Sequence, residues 1–257
     1  MEIYREEWIG DFVLIEYKPI QLQRPSYAII SLPDTGLVSV ISATHILKSL
    51  KLEEVAGIDS YTYFPPVAII SNKTLRSPIR IFTGNNLLVI YTEFMLPTPG
   101  LVQLARILID YLERKGVEYI LLPSGLPVQN RFELEQLRTY YLATSPKALE
   151  LVKNVEAIPF ENGLLAGPYA LLLKEFSRAK LNALLLLTES FLEFPDPEAA
   201  ARSIDMISRI MGIAIDVKEL IEQAELIRIR ARDVMKNTLR GLAQMRKDME
   251  YSVPLHT

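Results

Sequence analysis

The sequence predicts an α/β fold: a mixed β-sheet covered on both faces by helices, with a long helix at the C-terminal end. Strongly apolar segments at residues 117–122 and 183–187 predict buried strands, and they alternate with helical periodicity. Residues 55–92 contain several short strands separated by turn residues, which is typical of antiparallel pairing. We therefore divide the chain into an α/β domain (1–215), a helical extension (216–250) and a flexible tail (251–257).

The first half of the chain begins with strands. Residues 12–17 and 27–32 are rich in β-branched and aromatic side chains, and Pro33-Asp34-Thr35-Gly36 ends the second strand. A helix is expected from Leu37 to Leu50. Gly84-Asn85-Asn86 predicts a hairpin turn, because Gly and Asn tolerate positive φ.

The second half carries three amphipathic helices. Apolar residues spaced by three and four predict a helix over 98–115 that ends at Gly116, and further helices are expected over 164–178 and 197–211. Asp196 is placed to cap the third of these, and Pro197 occupies the first turn, where no backbone N–H is needed.

The long helix carries a heptad stripe of small and apolar residues. Its members are Leu220, Ala224, Ile227, Ala231, Val234, Thr238, Gly241 and Met245. Because several are small, we expect no strong autonomous coiled coil. We expect the domain to cover only the start of the stripe and another helix or subunit to cover the rest. The predicted protein-binding residues are Leu220, Ile227, Val234, Arg240 and Met245.

Composition excludes several classes of function. The 257 residues include no Cys and only two His, which rules out disulfides, thiolate nucleophiles, iron–sulfur clusters and a three-His metal site. A formal charge of −3 provides no basic field for nucleic acid. Neither a signal peptide nor a membrane-spanning apolar run is present. We expect a soluble, cytoplasmic protein with no cofactor, no metal, no nucleic acid and no membrane partner.

Polar residues at predicted strand ends are the candidates for chemistry. Asp34, Glu93, Ser124 and Glu189 each follow an apolar strand, where ligands of open α/β sheets collect. Glu93 and Glu189 could share acid and base roles in a nucleoside phosphorylase or hydrolase, which is the alternative function. The favoured interpretation is that these residues simply end strands.

Two further features each have two interpretations. The glycines of Gly163-Leu164-Leu165-Ala166-Gly167 could cradle an anion at a helix start, but close packing of that helix is favoured. His45 is expected to be a partly buried, hydrogen-bonded side chain rather than a catalyst.

The charge pattern of the long helix also has two interpretations. Acidic residues crowd its start and basic residues its later part, which complements the helix dipole and favours a solvated face. The alternative is a basic docking surface for an acidic protein, whose binding would fall steeply with salt.

Four segments together resemble the PAC2 family of proteasome assembly chaperones and their archaeal homologues. They are residues 32–38 (LPDTGLV), residues 57–66 with Gly57-Ile58 and Tyr63-Phe64-Pro65-Pro66, residues 163–172 (GLLAGPYALL) and residues 194–200 (FPDPEAA). Their order and spacing extend the similarity over about residues 25–245.

The resemblance implies a three-layer α/β/α sandwich of nucleoside-phosphorylase-like fold, oligomer formation and a role in assembling the proteasome α-ring. It implies that ring-docking members carry a C-terminal hydrophobic-Tyr-any motif. Here Tyr251 is not penultimate in the sequence, so we expect action without that tail. The preferred hypothesis is a non-enzymatic, homo-oligomeric protein-binding scaffold whose partners are proteasome α-subunits or another assembly factor.

Overall fold

A computed structural model describes residues 2–65, 68–71 and 73–252. The strands are β1 (Arg5–Ile9), β2 (Phe12–Glu16), β3 (Tyr27–Ser31), β4 (Glu53–Asp59), β5 (Ile69–Ser71), β6 (Thr74–Arg76), β7 (Ile79–Gly84), β8 (Leu87–Thr92), β9 (Tyr119–Pro127), β10 (Thr139–Ala143), β11 (Ile158–Pro159) and β12 (Ala183–Ser190). The α-helices are α1 (Val38–Ser49), α2 (Thr98–Arg114), α3 (Pro146–Leu149), α4 (Pro168–Arg178), α5 (Pro197–Met211), α6 (Lys218–Glu222) and α7 (Ala224–Ser252).

Ten of these strands form one mixed sheet, in the order β1-β2-β4-β7-β8-β3-β9-β12-β10-β11. The central strands β8, β3, β9 and β12 run parallel. β1, β2, β4 and β7 flank them through antiparallel pairings on one side, and β10 pairs antiparallel with β12 on the other. The mixed sheet expected from the sequence is confirmed.

Helices cover both faces of this sheet. Ile29 and Ile30 are consecutive in β3 and both fully buried, yet Ile29 packs in the cluster formed with α1 and α5, and Ile30 in the cluster formed with α2 and α4. Alternate side chains of a strand point to opposite faces, so a strand covered on both faces is apolar throughout. The expected layering is confirmed.

Several local expectations are also confirmed. The turn between β7 and β8 places Asn85 at φ +53°, and the Asp196 side chain accepts the backbone N–H of Ala199 at 3.1 Å as the cap of α5. His45 Nε2 lies 2.7 Å from the carbonyl oxygen of Asp216. α1 begins one residue later than expected, because Gly36 and Leu37 have positive φ in the turn that precedes it.

The C-terminal helix differs from expectation in two ways. It is interrupted at Gln223, so α6 and α7 are separate helices. α7 also lies against the domain, where Met235 and Thr238 are buried. Of the expected tail, Tyr251 and Ser252 belong to α7, while residues 253–257 lie outside the described residues, as does Pro66 of the second quoted segment.

Candidate functional site

Asp34 lies at the carboxyl end of β3 and is almost fully buried. Its Oδ2 accepts the backbone N–H of Gly125 at 2.9 Å, and its Oδ1 accepts that of Ser39 at 3.2 Å. Burial raises the pKa of Asp34 to about 8, although these hydrogen bonds and one from the Ser124 hydroxyl oppose the rise. Of the four residues expected at strand ends, the structure brings Asp34 and Ser124 together.

The close approach of β9 to the turn after β3 depends on Gly125. A Cβ at this position would lie 2.2 Å from the carbonyl oxygen of Thr35 and 2.5 Å from the Ser190 Oγ. No side chain fits in that space. The absence of a side chain at Gly125 therefore allows its own backbone N–H to come within hydrogen-bond distance of the Asp34 carboxyl group.

A cavity of about 430 Å³ adjoins Asp34 at this edge of the sheet. Its walls include Ser124, residues 164–168, and Leu242 and Met245 of α7. Ligands of open α/β sheets bind at the carboxyl ends of the strands. In this protein α7 lies over that region.

Gly167 immediately precedes α4 and has a positive φ. Its φ is +97°, which an L side chain rarely adopts, and a Cβ there would contact Leu242 at 3.4 Å. Since 3.4 Å is an ordinary van der Waals distance, glycine is required at this position by its φ and not by the contact with α7.

Glu93 and Glu189 are not brought together, which corrects the premise of the enzyme alternative. Glu93 follows β8, while Glu189 is the penultimate residue of β12 rather than a residue beyond it, and these two strands lie three strand spacings apart, roughly 14 Å. Each pairs with an arginine on the side away from the other: Glu93 with Arg80 of β7 at 3.3 Å, and Glu189 with Arg138, just before β10, at 2.6 Å. Two carboxyl groups that flank one glycosidic bond are roughly 5–10 Å apart.

The heptad stripe packs against its own domain. The expectation that another helix or subunit covers its later part is therefore wrong for the described side chains. Leu220 is buried, Ile227 and Val234 pack against the cluster with α1 and α5, and Met245 packs against the opposite cluster. Arg240, the fifth residue predicted to bind protein, is exposed. Binding of another protein through any of the five stays a prediction.

The small residues of the stripe explain this outcome. A Cβ at Gly241 would lie 3.0 Å from Met95 Cε, and Thr238 is fully buried with its hydroxyl bonded to the Val234 carbonyl oxygen. Small side chains let a helix approach its neighbour closely. The heptad stripe is a weak coiled-coil pattern because its small residues instead pack α7 closely on its own domain.

A second candidate site is an exposed surface that we call the aromatic–acidic surface. It comprises Phe132, Glu133, Glu135, Leu192, Glu193 and Phe194. The ring of buried Phe191 joins the two exposed phenylalanines, with centroids 4.5 Å from Phe132 and 6.3 Å from Phe194. A cavity of about 580 Å³ lies beside Phe132, Phe191 and Phe194, and Arg131, Glu198 and Arg228 also line it.

Arg131 anchors this surface from beneath. Its guanidinium forms two hydrogen bonds with the buried Asp196 carboxylate, at 2.7 and 2.9 Å, and stacks on the Phe191 ring. Asp196 therefore caps α5 and holds the loop that carries Phe132. The sequence reasoning identified the cap but missed Arg131 and Phe132, because no apolar periodicity marks residues 128–138.

The outer face of α7 is basic. Ile229, Lys236, Arg240 and Lys247 are exposed and form what we call the basic face. At 100° per residue they fall within about 20° of one direction, opposite to Thr238. Lys236, Arg240 and Lys247 form no ion pair with any residue that the structure describes.

Neither a metal site nor a membrane span is found in the described part of the chain. No group of three or more His, Asp or Glu side chains there could hold a metal ion. None of the described helices is long and apolar enough to cross a bilayer.

Comparison with known proteins gives the family. The model of the PAC2 family matches residues 28–235. The chain belongs to the PAC2 family. The uncharacterized protein MJ0106 of Methanocaldococcus jannaschii is 22% identical over 245 residues, which cover 93% of this chain and 98% of that protein.

Two solved structures from Pyrococcus furiosus share the fold. PbaA, described as an archaeal homolog of proteasome-assembly chaperone, matches with a TM-score of 0.81 and 24% identity over 89% of this chain and 98% of its own. PbaB, described as an archaeal proteasome activator, matches with a TM-score of 0.72 and 22% identity over 88% of this chain and 99% of its own. The PAC2 resemblance read from the sequence is thereby confirmed.

Proposed function

We propose that this PAC2 protein is a non-enzymatic assembly chaperone that acts as a homo-oligomeric scaffold for other proteins. Proteasome α-subunits or another assembly factor would be its partners. Family membership and the descriptions of PbaA and PbaB support this role. The arrangement of the two candidate sites supports protein binding over catalysis.

The exposed aromatic–acidic surface is the observation that carries the proposal. Phe132 is 82% exposed, Phe194 56% and Leu192 49%. Large apolar side chains grouped on a surface and rimmed by polar residues mark sites of protein interaction. Aromatic side chains are also the residues that dominate binding energy at such sites.

The residues at the carboxyl edge of the sheet support an enzymatic function less than the aromatic–acidic surface supports protein binding. The two carboxylates expected to share acid and base roles are apart, each in an ion pair with arginine. The stripe of α7 lies over the Asp34 cavity, and Leu242 and Met245 form part of its wall. Apolar side chains from a docked helix provide no acid, base or nucleophile.

Capture of purified proteasome α-subunits from the same organism tests the proposal. We expect the full chain to retain α-subunits on a column and Phe132→Ser with Phe194→Ser to lower the retained amount about tenfold or more. Tyr4→Ser with Tyr61→Ser is the matched control, since these rings are as exposed but lie elsewhere. No retention by the full chain, or equal loss in both double variants, would contradict this role for the surface.

A further inference from the structure

The aromatic–acidic surface has charges that its own chain leaves unmatched. Glu133, Glu135 and Glu193 are exposed and form no ion pair with any described residue, whereas Glu198 beside them pairs with both Arg131 and Arg228. An apolar centre surrounded by free carboxylates favours a partner that presents an apolar side chain among cations.

The basic face of α7 has that composition. Ile229, 62% exposed, shares one direction with Lys236, Arg240 and Lys247. Spacings of seven, four and seven residues set these side chains in a row along the helix. The row provides one apolar group followed by three cations, with the exposed Asp233 about 40° to one side of it.

Within one chain the basic face leaves the aromatic–acidic surface uncovered, since Phe132, Phe194 and Ile229 are all exposed. The opposite side of α7, at Val234, Thr238 and Met245, is packed on the domain, so the basic face points outward. The contact of α7 with the cavity beside Phe132 is made by Arg228, whose guanidinium lies 3.1 Å from Glu198. Complementary surfaces that face outward on the same chain can be matched between copies.

We propose that the aromatic–acidic surface binds the basic face of α7 of a second copy of this chain. Ile229 of one copy would enter the cavity of about 580 Å³ beside Phe132, while Lys236 and Arg240, about 10 and about 16 Å further along the helix, approach the glutamates Glu133, Glu135 and Glu193. This inference rests on the proposed function and assigns the surfaces through which the scaffold assembles in the absence of α-subunits, which would compete with the second copy for the aromatic–acidic surface. Because each copy carries both surfaces, the contact gives a closed symmetric oligomer when the rotation between copies closes and an open filament when it does not.

Charge reversal tests the contact in the full-length protein. One variant carries Glu133→Lys, Glu135→Lys and Glu193→Lys, and a second carries Lys236→Glu, Arg240→Glu and Lys247→Glu. We expect each variant alone to raise the dissociation constant of the oligomer about tenfold or more, because like charges then face each other. Their equimolar mixture should reassemble, since each reversed surface meets its complement. Light scattering after size exclusion and native mass spectrometry measure the mass.

A third variant controls for the changed net charge of the helix variant. Lys51→Glu, Lys174→Glu and Lys180→Glu reverses three exposed lysines that lie outside both surfaces, and it should assemble like the wild type. Thermal unfolding of all variants checks the fold. For the unaltered protein, we expect the dissociation constant to rise with added NaCl, because salt screens exposed charges.

Four results would overturn the inference: a wild type of single-chain mass, an oligomer that neither variant weakens, a mixture that fails to reassemble, or an assembly indifferent to salt. An oligomer weakened only by the helix variant would instead favour an acidic site elsewhere as the partner of α7. Capture of α-subunits separates this test from the proposed function. A single-chain protein that retains α-subunits overturns only the contact between copies, and an oligomer that retains none overturns only the proteasome role.

Discussion

Two buried carboxyl groups near the carboxyl edge of the sheet are held in different ways. Asp196 forms two hydrogen bonds with the guanidinium of Arg131. Asp34 receives its hydrogen bonds from the backbone N–H groups of Gly125 and Ser39 and from Ser124. Dipoles alone do not compensate the desolvation of a carboxylate, so burial keeps Asp34 protonated at neutral pH.

Replacement of Asp34 tests this protonation. Its pKa is about 8 in the folded chain against 3.8 in an unperturbed Asp, so the folded state binds the extra proton between those values. The free energy of unfolding contributed by this group therefore falls as pH rises from about 4 to about 8. We expect Asp34→Asn to flatten that slope in urea unfolding across this range. Parallel pH profiles for the two proteins would contradict the assignment.

Asp196→Ala should be strongly destabilising. It removes the cap of α5 and leaves Arg131, whose side chain is 7% exposed, without its buried partner. We expect a loss of about 3–5 kcal/mol in the free energy of unfolding. Glu198→Gln, at a half-exposed partner of the same arginine, should cost about 1 kcal/mol or less. Equal losses in urea unfolding would show that Arg131 does not depend on Asp196.

Among the elements, α7 shows what a periodic pattern can predict. The spacing of three and four identifies a helix with one buried face, and the structure contains both. The same spacing does not say which surface covers that face. Small residues such as Gly241 are poor coiled-coil positions and good positions for close contact with a domain, and Met95 provides that contact here.

Gly241→Val should loosen α7. The added side chain would overlap Met95, so the helix must shift, at a cost of about 1–3 kcal/mol. Hydrogen exchange of backbone amides in α7 should speed up before the sheet is affected. Ala243→Val, at an exposed position of the same helix, should leave exchange close to that of the wild type. Unchanged or slower exchange in Gly241→Val would contradict this role of packing, because Val favours a helix more than Gly does.

For the whole molecule, strand order decides which side chains can act together. β3 and β9 are neighbours, so Asp34 and Ser124 meet, while β3 and β9 separate β8 from β12 and thus Glu93 from Glu189. Two carboxylates that belong to strands roughly 14 Å apart, and that pair with arginines on opposite sides, cannot share one scissile bond.

Nucleoside and phosphate assays check this conclusion. We expect no base release by the wild type, by Glu93→Gln or by Glu189→Gln, and we expect all three to retain protein partners. Glu189→Gln should lower the unfolding midpoint, because the carboxylate paired with Arg138 is 1% exposed. Turnover by the wild type that either replacement abolishes would contradict the scaffold proposal.

Local patterns are sufficient to predict most elements of this protein. Apolar runs, glycine turns and a capping Asp mark β3, β12, α2 and α5, because strand and helix periodicity depend on residues close in sequence. They also carry the family resemblance, since residues 32–38 and 194–200 are short contiguous segments.

Long-range contacts settle the rest. Three features depend on residues far apart in the chain. They are the distance between Glu93 and Glu189, the docking of α7 on its own domain, and the contact of Phe132 with Phe191 and Phe194 over Arg131. Periodicity says which face of an element is apolar, but it says nothing about the order in which strands pair or about the partner that covers a helix. Those depend on how the whole chain minimises exposed apolar area while it satisfies buried polar groups.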